Sequence, residues 1–177
     1  MRILIALTVL LFLGSCATLS ESECRAGDWT TIGFEDGAQG RLPEFIAQHR
    51  EACAEYGIAP DLAAWRAGRE QGLLSYCTPQ KAYELGRSAR PVANVCPALI
   101  GQHLAAANFR GREYRRLTDE IRDLEREIET FEDAQATLDR DAAGADVLSR
   151  SLSSSIAAAR FEILRLRARR AQYESWR

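Results

Sequence analysis

The sequence predicts a mainly α protein: a small, disulfide-stapled, α-rich module with one short β-hairpin, followed by an antiparallel helical hairpin of the coiled-coil kind. Three observations predict it. Apolar residues recur at helical spacing from Leu42 to Tyr56 and from Leu62 to Tyr76. Four cysteines, Cys24, Cys53, Cys77 and Cys96, bracket those segments. Beyond about Leu104 the pattern becomes two heptad seams separated by Ala142-Ala143-Gly144-Ala145.

The chain opens with Arg2 and then an uncharged apolar run, Ile3 to Leu13, broken only by Thr8. The run is shorter than the roughly 20 residues of a bilayer-spanning helix and fits the roughly 7–15 of a secretory signal. It ends at Leu13-Gly14-Ser15-Cys16, which resembles the bacterial lipobox. The resemblance implies a diacylglyceryl group on the Cys16 thiol, cleavage before Cys16, and acylation of the new amine by chains such as palmitate. More than one chain is what stable membrane attachment requires. Residues 1–15 are therefore read as a lipoprotein signal peptide and 16–23 as a polar tether. Ala17 stands where inner-membrane retention favours Asp. By resemblance to lipoprotein sorting signals, that points to the outer membrane, facing the periplasm. Two other readings compete. Ser15-Cys16-Ala17 is a small-x-small site that an ordinary signal peptidase could cut, releasing a soluble chain, or the stretch could persist as an uncleaved anchor.

With Arg2 removed, 22 basic residues face 25 acidic ones, a net charge of −3 and no nucleic-acid footprint. In an oxidising compartment the even set Cys24, Cys53, Cys77 and Cys96 reads as two disulfides. Three pairings exist. Cys24–Cys53 with Cys77–Cys96 is favoured because each closes a local loop. No two of these cysteines stand at the close spacing of a zinc site, so no metal or other cofactor is expected.

In the module, residues 24–103, Asp28 caps a helix starting at Trp29, and Gly40 ends it. Gly33 and Gly37 lie one helical turn apart, and Gly68 and Gly72 repeat the arrangement 35 residues later, each pair preceded by an indole, Trp29 or Trp65. Tyr83-Glu84-Leu85-Gly86 echoes the pattern faintly. A glycine inside a helix costs about 1 kcal/mol against alanine, so close approach of another backbone is expected. On one reading the two glycine faces pack together. On the other, Trp29, Trp65 and Tyr83 line a shallow ligand groove with glycine floors. Leu42, Phe45, Ile46, His49, Cys53 and Tyr56 share one helical stripe, with Pro43 in the first turn and Gly57 at the end. His49 reads as a half-buried core histidine, since its own stripe offers no second ligand. Pro60-Asp61 opens the next helix. Residues 80–86 and 91–96 read as a β-hairpin closed at its base by Cys77 and Cys96.

Taken in order, these elements resemble one family. They are Cys24, Asp28-Trp29, Ile32-Gly33-Phe34-Glu35-Asp36-Gly37, His49-Arg50-Glu51-Ala52-Cys53, Ala59-Pro60-Asp61, Trp65, Gly68, Gly72-Leu73, Tyr76-Cys77, Gly86 and Val95-Cys96-Pro97. The family consists of uncharacterised bacterial envelope lipoproteins, catalogued as domain of unknown function 2799. The resemblance runs from the lipobox to about Gly111 and carries no activity and no catalytic residues with it.

In the hairpin, residues 104–177, Leu117, Ile121, Leu124, Ile128, Phe131 and Leu138 form the first seam. Leu148, Leu152, Ile156, Ala159, Ile163, Leu166 and Tyr173 form the second. A turn near Ala143 pairs Leu138 with Leu148 and Leu124 with Ile163. Residues 112–141 carry six Arg and eleven acids, whereas 160–177 carry six Arg and two acids, which favours the antiparallel pairing. It brings Glu127 near Arg160 and Glu120 near Arg165.

With His49 and His103 the only imidazoles and no nucleophile motif, an enzyme is the least supported class, and no catalytic residue is assigned. The first expectation is a non-enzymatic envelope factor, held to the membrane through Cys16, that engages an envelope protein through the helical hairpin. The second is a periplasmic ligand-binding module using Trp29, Trp65 and Tyr83. Nucleic acid is not an expected partner.

Overall fold

A computed structural model describes residues 18–176, so the export signal, Cys16 and Arg177 lie outside the described residues. Among those described there are helices and turns but no strand. The α-helices are α1 (Glu21–Ala26), α2 (Trp29–Ala38), α3 (Ile46–Ala54), α4 (Leu62–Tyr76), α5 (Pro79–Arg87), α6 (Gly101–Ala136) and α7 (Ala145–Ala171). The chain forms two compact units. The first runs to Tyr76 and includes Ala93–Val95; the second holds Cys77–Val92 and everything from Cys96. The division falls between Tyr76 and Cys77, whereas the sequence reading placed it near residue 103. The reason is that α5 packs along the start of α6 and so groups with the hairpin.

The first unit begins earlier than expected. Residues 18–23 are not a free tether. Ser20 and Glu23 form a capping box that starts α1, with Glu23 N–H donating to Ser20 Oγ and Ser20 N–H donating to the Glu23 carboxylate at 2.7 Å. Leu19 is buried in the core with Cys24, Trp29, Ile46, Cys53 and Trp65. A Ser-x-x-Glu run is polar in composition, yet its polarity is spent on the helix's own first turn. Asp28 caps α2 as expected, accepting from Thr31 N–H at 3.1 Å. These hydrogen bonds hold both carboxyls below their ordinary values, Glu23 chiefly through the Ser20 hydroxyl and Asp28 through Thr31. A carboxyl depressed in the folded state adds stability above its unfolded value, here 4.5 for Glu23 and 3.8 for Asp28, and loses it as pH falls through the folded value. The stability difference between the parent chain and a Glu23→Gln/Asp28→Asn variant is therefore expected to be fully present at pH 6. It shrinks as the pH is taken below 4.5, as urea midpoints across that range would show.

The glycine pairs fold as the packing reading predicts. Gly33 and Gly37 on α2 face Gly68 and Gly72 on α4 so closely that the backbones touch. A Cβ on Gly33 would stand 2.1 Å from Trp65 O, and one on Gly68 would stand 1.9 Å from Thr30 O. Below 3.0 Å no side-chain adjustment suffices when the obstacle is a carbonyl. The disulfides are Cys24–Cys53 and Cys77–Cys96, the favoured pairing. By chain entropy, loops of 29 and 19 residues correspond to about 3–4 kcal/mol each.

The second unit repeats the device with different residues. Residues 80–86 are not a strand of a hairpin but the body of α5. Thr78 caps it, accepting from Lys81 N–H at 3.2 Å, and Pro79 sits in its first turn. Residues 91–96 form no partner strand. The apolar pair Tyr83 and Leu85 suggested alternation, but Ala82 and Gly86 complete a helical face instead. That face meets Ala107 and Gly111 of α6, and a Cβ on Gly86 would stand 2.1 Å from Asn108 O. Asn108, buried beside it, donates to Ala82 O at 3.0 Å and Arg90 O at 2.9 Å. α6 continues for 36 residues, about 54 Å at the usual rise, before Gly144 in the left-handed region opens α7. Leu117 and Ile121 pack on Ile163 and Leu166, with Leu124, Ile128 and Tyr173 beside them, so the two seams form one core.

Candidate functional site

The buried seam accounts for one side of α7 only. Ile156, Ala159, Ile163 and Leu166 are buried against α6. A second heptad row, Ala157, Phe161, Leu164, Ala168 and Ala171, is turned away from them and exposed. Phe161 is 69% and Leu164 63% exposed. Steps of four and three over fifteen residues are the spacing of a helix-packing surface, and scattered exposed apolar residues do not show it. The sequence reading assigned α7 a single seam because the second is short and three of its five residues are alanine.

Arginine flanks this row on both edges. Arg160 and Arg167 lie along one edge and bridge to Glu132 at 2.7 Å and Glu125 at 2.8 Å across the hairpin. Arg165 lies along the other edge and, among the described residues, pairs with Glu162 of its own helix. Arg169 also lies there and carries no ion pair among the described residues. The expected pairs Glu127–Arg160 and Glu120–Arg165 are thus corrected: Arg160 engages an acid five residues nearer the turn. Side chains lean toward the N-terminus of their own helix. In an antiparallel pair that carries an α7 arginine toward the turn and an α6 glutamate away from it, so they meet off the backbone register. Leu148, expected to meet Leu138, is 49% exposed. Gln135 closes that end instead, its Nε2 donating to Ser149 O at 3.1 Å and Ser153 Oγ at 2.7 Å.

The far end of the hairpin is fastened by polar contacts. Tyr83 Oη donates to Tyr173 O at 2.6 Å, and burial holds the Tyr83 phenol above its ordinary value, so it remains a donor. Arg110 donates to Gln172 O and Ser175 O and lies over the Tyr173 ring. Trp176 packs on the α5–α6 core.

The three aromatics expected to line a groove do not form one. Trp29, Trp65 and Tyr83 are each 5% exposed or less. Trp29 and Trp65 belong to the core of the first unit and Tyr83 to that of the second, because the glycine faces that were to be groove floors are covered by neighbouring helices. His49 is buried outright and is not half-buried. Its Nε2 donates to Asp36 Oδ2 at 2.9 Å, and Nδ1 lies 2.9 Å from Thr18 Oγ1, which donates to it in the neutral ring. Trp65 Nε1 donates to the same Asp36 oxygen at 2.8 Å. Hydroxyl, imidazole and carboxylate stand in the order of a proton relay, but the imidazole and the carboxylate are shut away from solvent. The chain ties four segments of the first unit together. Sequence reading missed it because Asp36 comes from α2, not from the stripe that carries His49. Glu35 and Glu70 are exposed, as is His103. Among the described residues no group of three or more His, Cys, Asp or Glu could hold a metal ion, and no helix is long and apolar enough to cross a membrane.

No curated protein and no solved structure matches the chain. A family model, described as protein of unknown function (DUF2799), matches residues 28–113. The match opens on the cap of α2 and ends just after Gly111, so it spans both glycine-faced helix pairs and leaves most of the hairpin outside. Over that segment the chain is similar to this uncharacterised family, the one its glycine, cysteine and tryptophan spacing resembles.

Proposed function

We propose that the protein is a non-enzymatic lipoprotein of the outer membrane, attached through Cys16 and facing the periplasm, whose helical hairpin docks an envelope protein. The observation that carries the docking is the exposed row Ala157, Phe161, Leu164 and Ala168 between two edges of arginine. Its occupant is an amphipathic helix with acidic flanks. Apolar residues fill the row, and carboxylates meet Arg165 and Arg169. A second copy of α7 would set arginine against arginine, and Glu125 and Glu132 of α6 are already engaged.

The anchor reading rests on Leu13-Gly14-Ser15-Cys16. It gains a structural consequence from the start of the first unit. Thr18 already bonds His49, so a lipid on Cys16 would hold the folded unit within about two residues, or roughly 7 Å, of the bilayer surface.

Phe161→Glu/Leu164→Glu tests the docking. Both side chains are exposed, so the unfolding free energy is expected to stay within about 0.5 kcal/mol of the parent. In affinity capture from solubilised envelopes, a protein retained by the parent chain is expected to be lost from the variant. Equal capture by the two would refute the docking face.

A further inference from the structure

We infer that the first unit carries a binding site for an organic oxyanion: a phosphate or carboxylate joined to a small apolar body. The site is a cavity of about 350 Å³ between α3 and α4. Its size falls at the lower end of the range for small-molecule pockets. Ile46, Leu62 and Trp65 supply apolar lining, and Arg50, Arg66 and Arg69 line it as well. This inference is independent of the docking face, which lies in the other unit.

Arg69 is the decisive member. It is 9% exposed, yet no carboxylate lies within ion-pair reach among the described residues. Its Nε and Nη2 donate to Arg41 O at 3.0 and 2.6 Å, which fixes the plane of the guanidinium without neutralising it. A buried charge held in place and left without a counter-ion is costly unless an anion arrives to meet it. Arg50 and Arg66 are exposed and also carry no ion pair among the described residues. Arg66 does not bridge to Glu70, although the two stand at helical i,i+4 spacing. The exposed Glu70 also lines the cavity and offsets one of the three positive charges, leaving a net charge of +2. Guanidinium forks match phosphate and carboxylate oxygens in geometry, and the apolar lining suits an aliphatic or aromatic body.

The test is calorimetric titration of the purified chain with hexyl phosphate, hexanoate and inorganic phosphate. Saturable binding of hexyl phosphate or hexanoate is expected, at least tenfold tighter than inorganic phosphate. Arg50→Gln/Arg66→Gln is expected to weaken it at least tenfold, and Glu70→Gln to strengthen it. All three side chains are exposed, and an unchanged helical circular dichroism spectrum certifies the folded variants. Phosphatidylglycerol vesicles distinguish the source. Retention of the chain that hexyl phosphate reverses assigns the site to a lipid headgroup, whereas binding of hexyl phosphate alone assigns it to a soluble anion. No saturable binding of any probe, equal affinity for inorganic phosphate, or indifference to the arginine substitutions would overturn the inference.

Discussion

Gly68→Ala is expected to destabilise the first unit by roughly 3 kcal/mol or more, at the top of the usual range for overpacking. The sign is informative because alanine is the better helix former by about 1 kcal/mol. The new methyl would lie 1.9 Å from Thr30 O and 2.8 Å from its carbonyl carbon. Neither atom can swing aside as a side-chain tip would, so α2 and α4 must separate along their whole contact. Gly33→Ala meets Trp65 O at 2.1 Å and should behave alike. The double substitution should cost less than the two singles together, since one separation relieves both clashes. Gly101→Ala is the control: nothing lies within 4 Å of a Cβ there, and the change should be neutral or slightly stabilising. Urea unfolding followed by tryptophan fluorescence in a Trp176→Phe background checks the Gly33 and Gly68 variants, because the remaining indoles, Trp29 and Trp65, both belong to the first unit; circular dichroism follows Gly101→Ala, which lies in the second.

Asp36→Ala is expected to destabilise the same unit by about 3–4 kcal/mol, because each buried donor left unpaired costs about 1–3 kcal/mol. Asp36 Oδ2 accepts from both His49 Nε2 and Trp65 Nε1. With Asp36, His49 and Trp65 all buried, water cannot replace the lost acceptor without opening the core. Asp36→Asn retains one carbonyl oxygen and should lose less than half as much. The same unfolding measurement ranks the two. Asp36→Ala no more damaging than Asp36→Asn would mean that the carboxylate is not the acceptor holding Trp65 and His49 in place.

Where a residue's neighbours on its own element determine its role, the sequence was legible. Asp28 and Gly40 bound α2, the heptad seams and charge asymmetry give the hairpin, and local loop closure gives both disulfide pairs. The glycine pairs announced a close backbone contact, since an internal glycine pair has few other physical justifications. The sequence was least legible where a role depends on an element distant in the chain. Asp36 and His49 could not be joined from their own stripes. Ala107 and Gly111 were hidden inside a longer heptad pattern, which concealed that α6 provides the second glycine face. Residues 80–86 misled because two apolar residues two apart satisfy a strand's alternation, while the helix was signalled just upstream by Thr78-Pro79. The aromatic groove failed for a related reason. Glycines that admit a ligand and glycines that admit a helix look alike in sequence, and here a helix occupies each face.

The part matched by the family model is thus built as two helix pairs locked at glycine contacts, and the outer row of α7 in the hairpin is left exposed among the described residues. The measurement that bears on this most directly is site-specific photocrosslinking in cells producing the protein. The reactive residue is placed at Phe161, at Leu164 and, for comparison, at Arg126 on the exposed surface of α6. The account predicts adducts to a protein other than this chain from positions 161 and 164, mapping by mass spectrometry to an acidic helical segment, and none from position 126. Adducts only to a second copy, or equal labelling from all three positions, would contradict it.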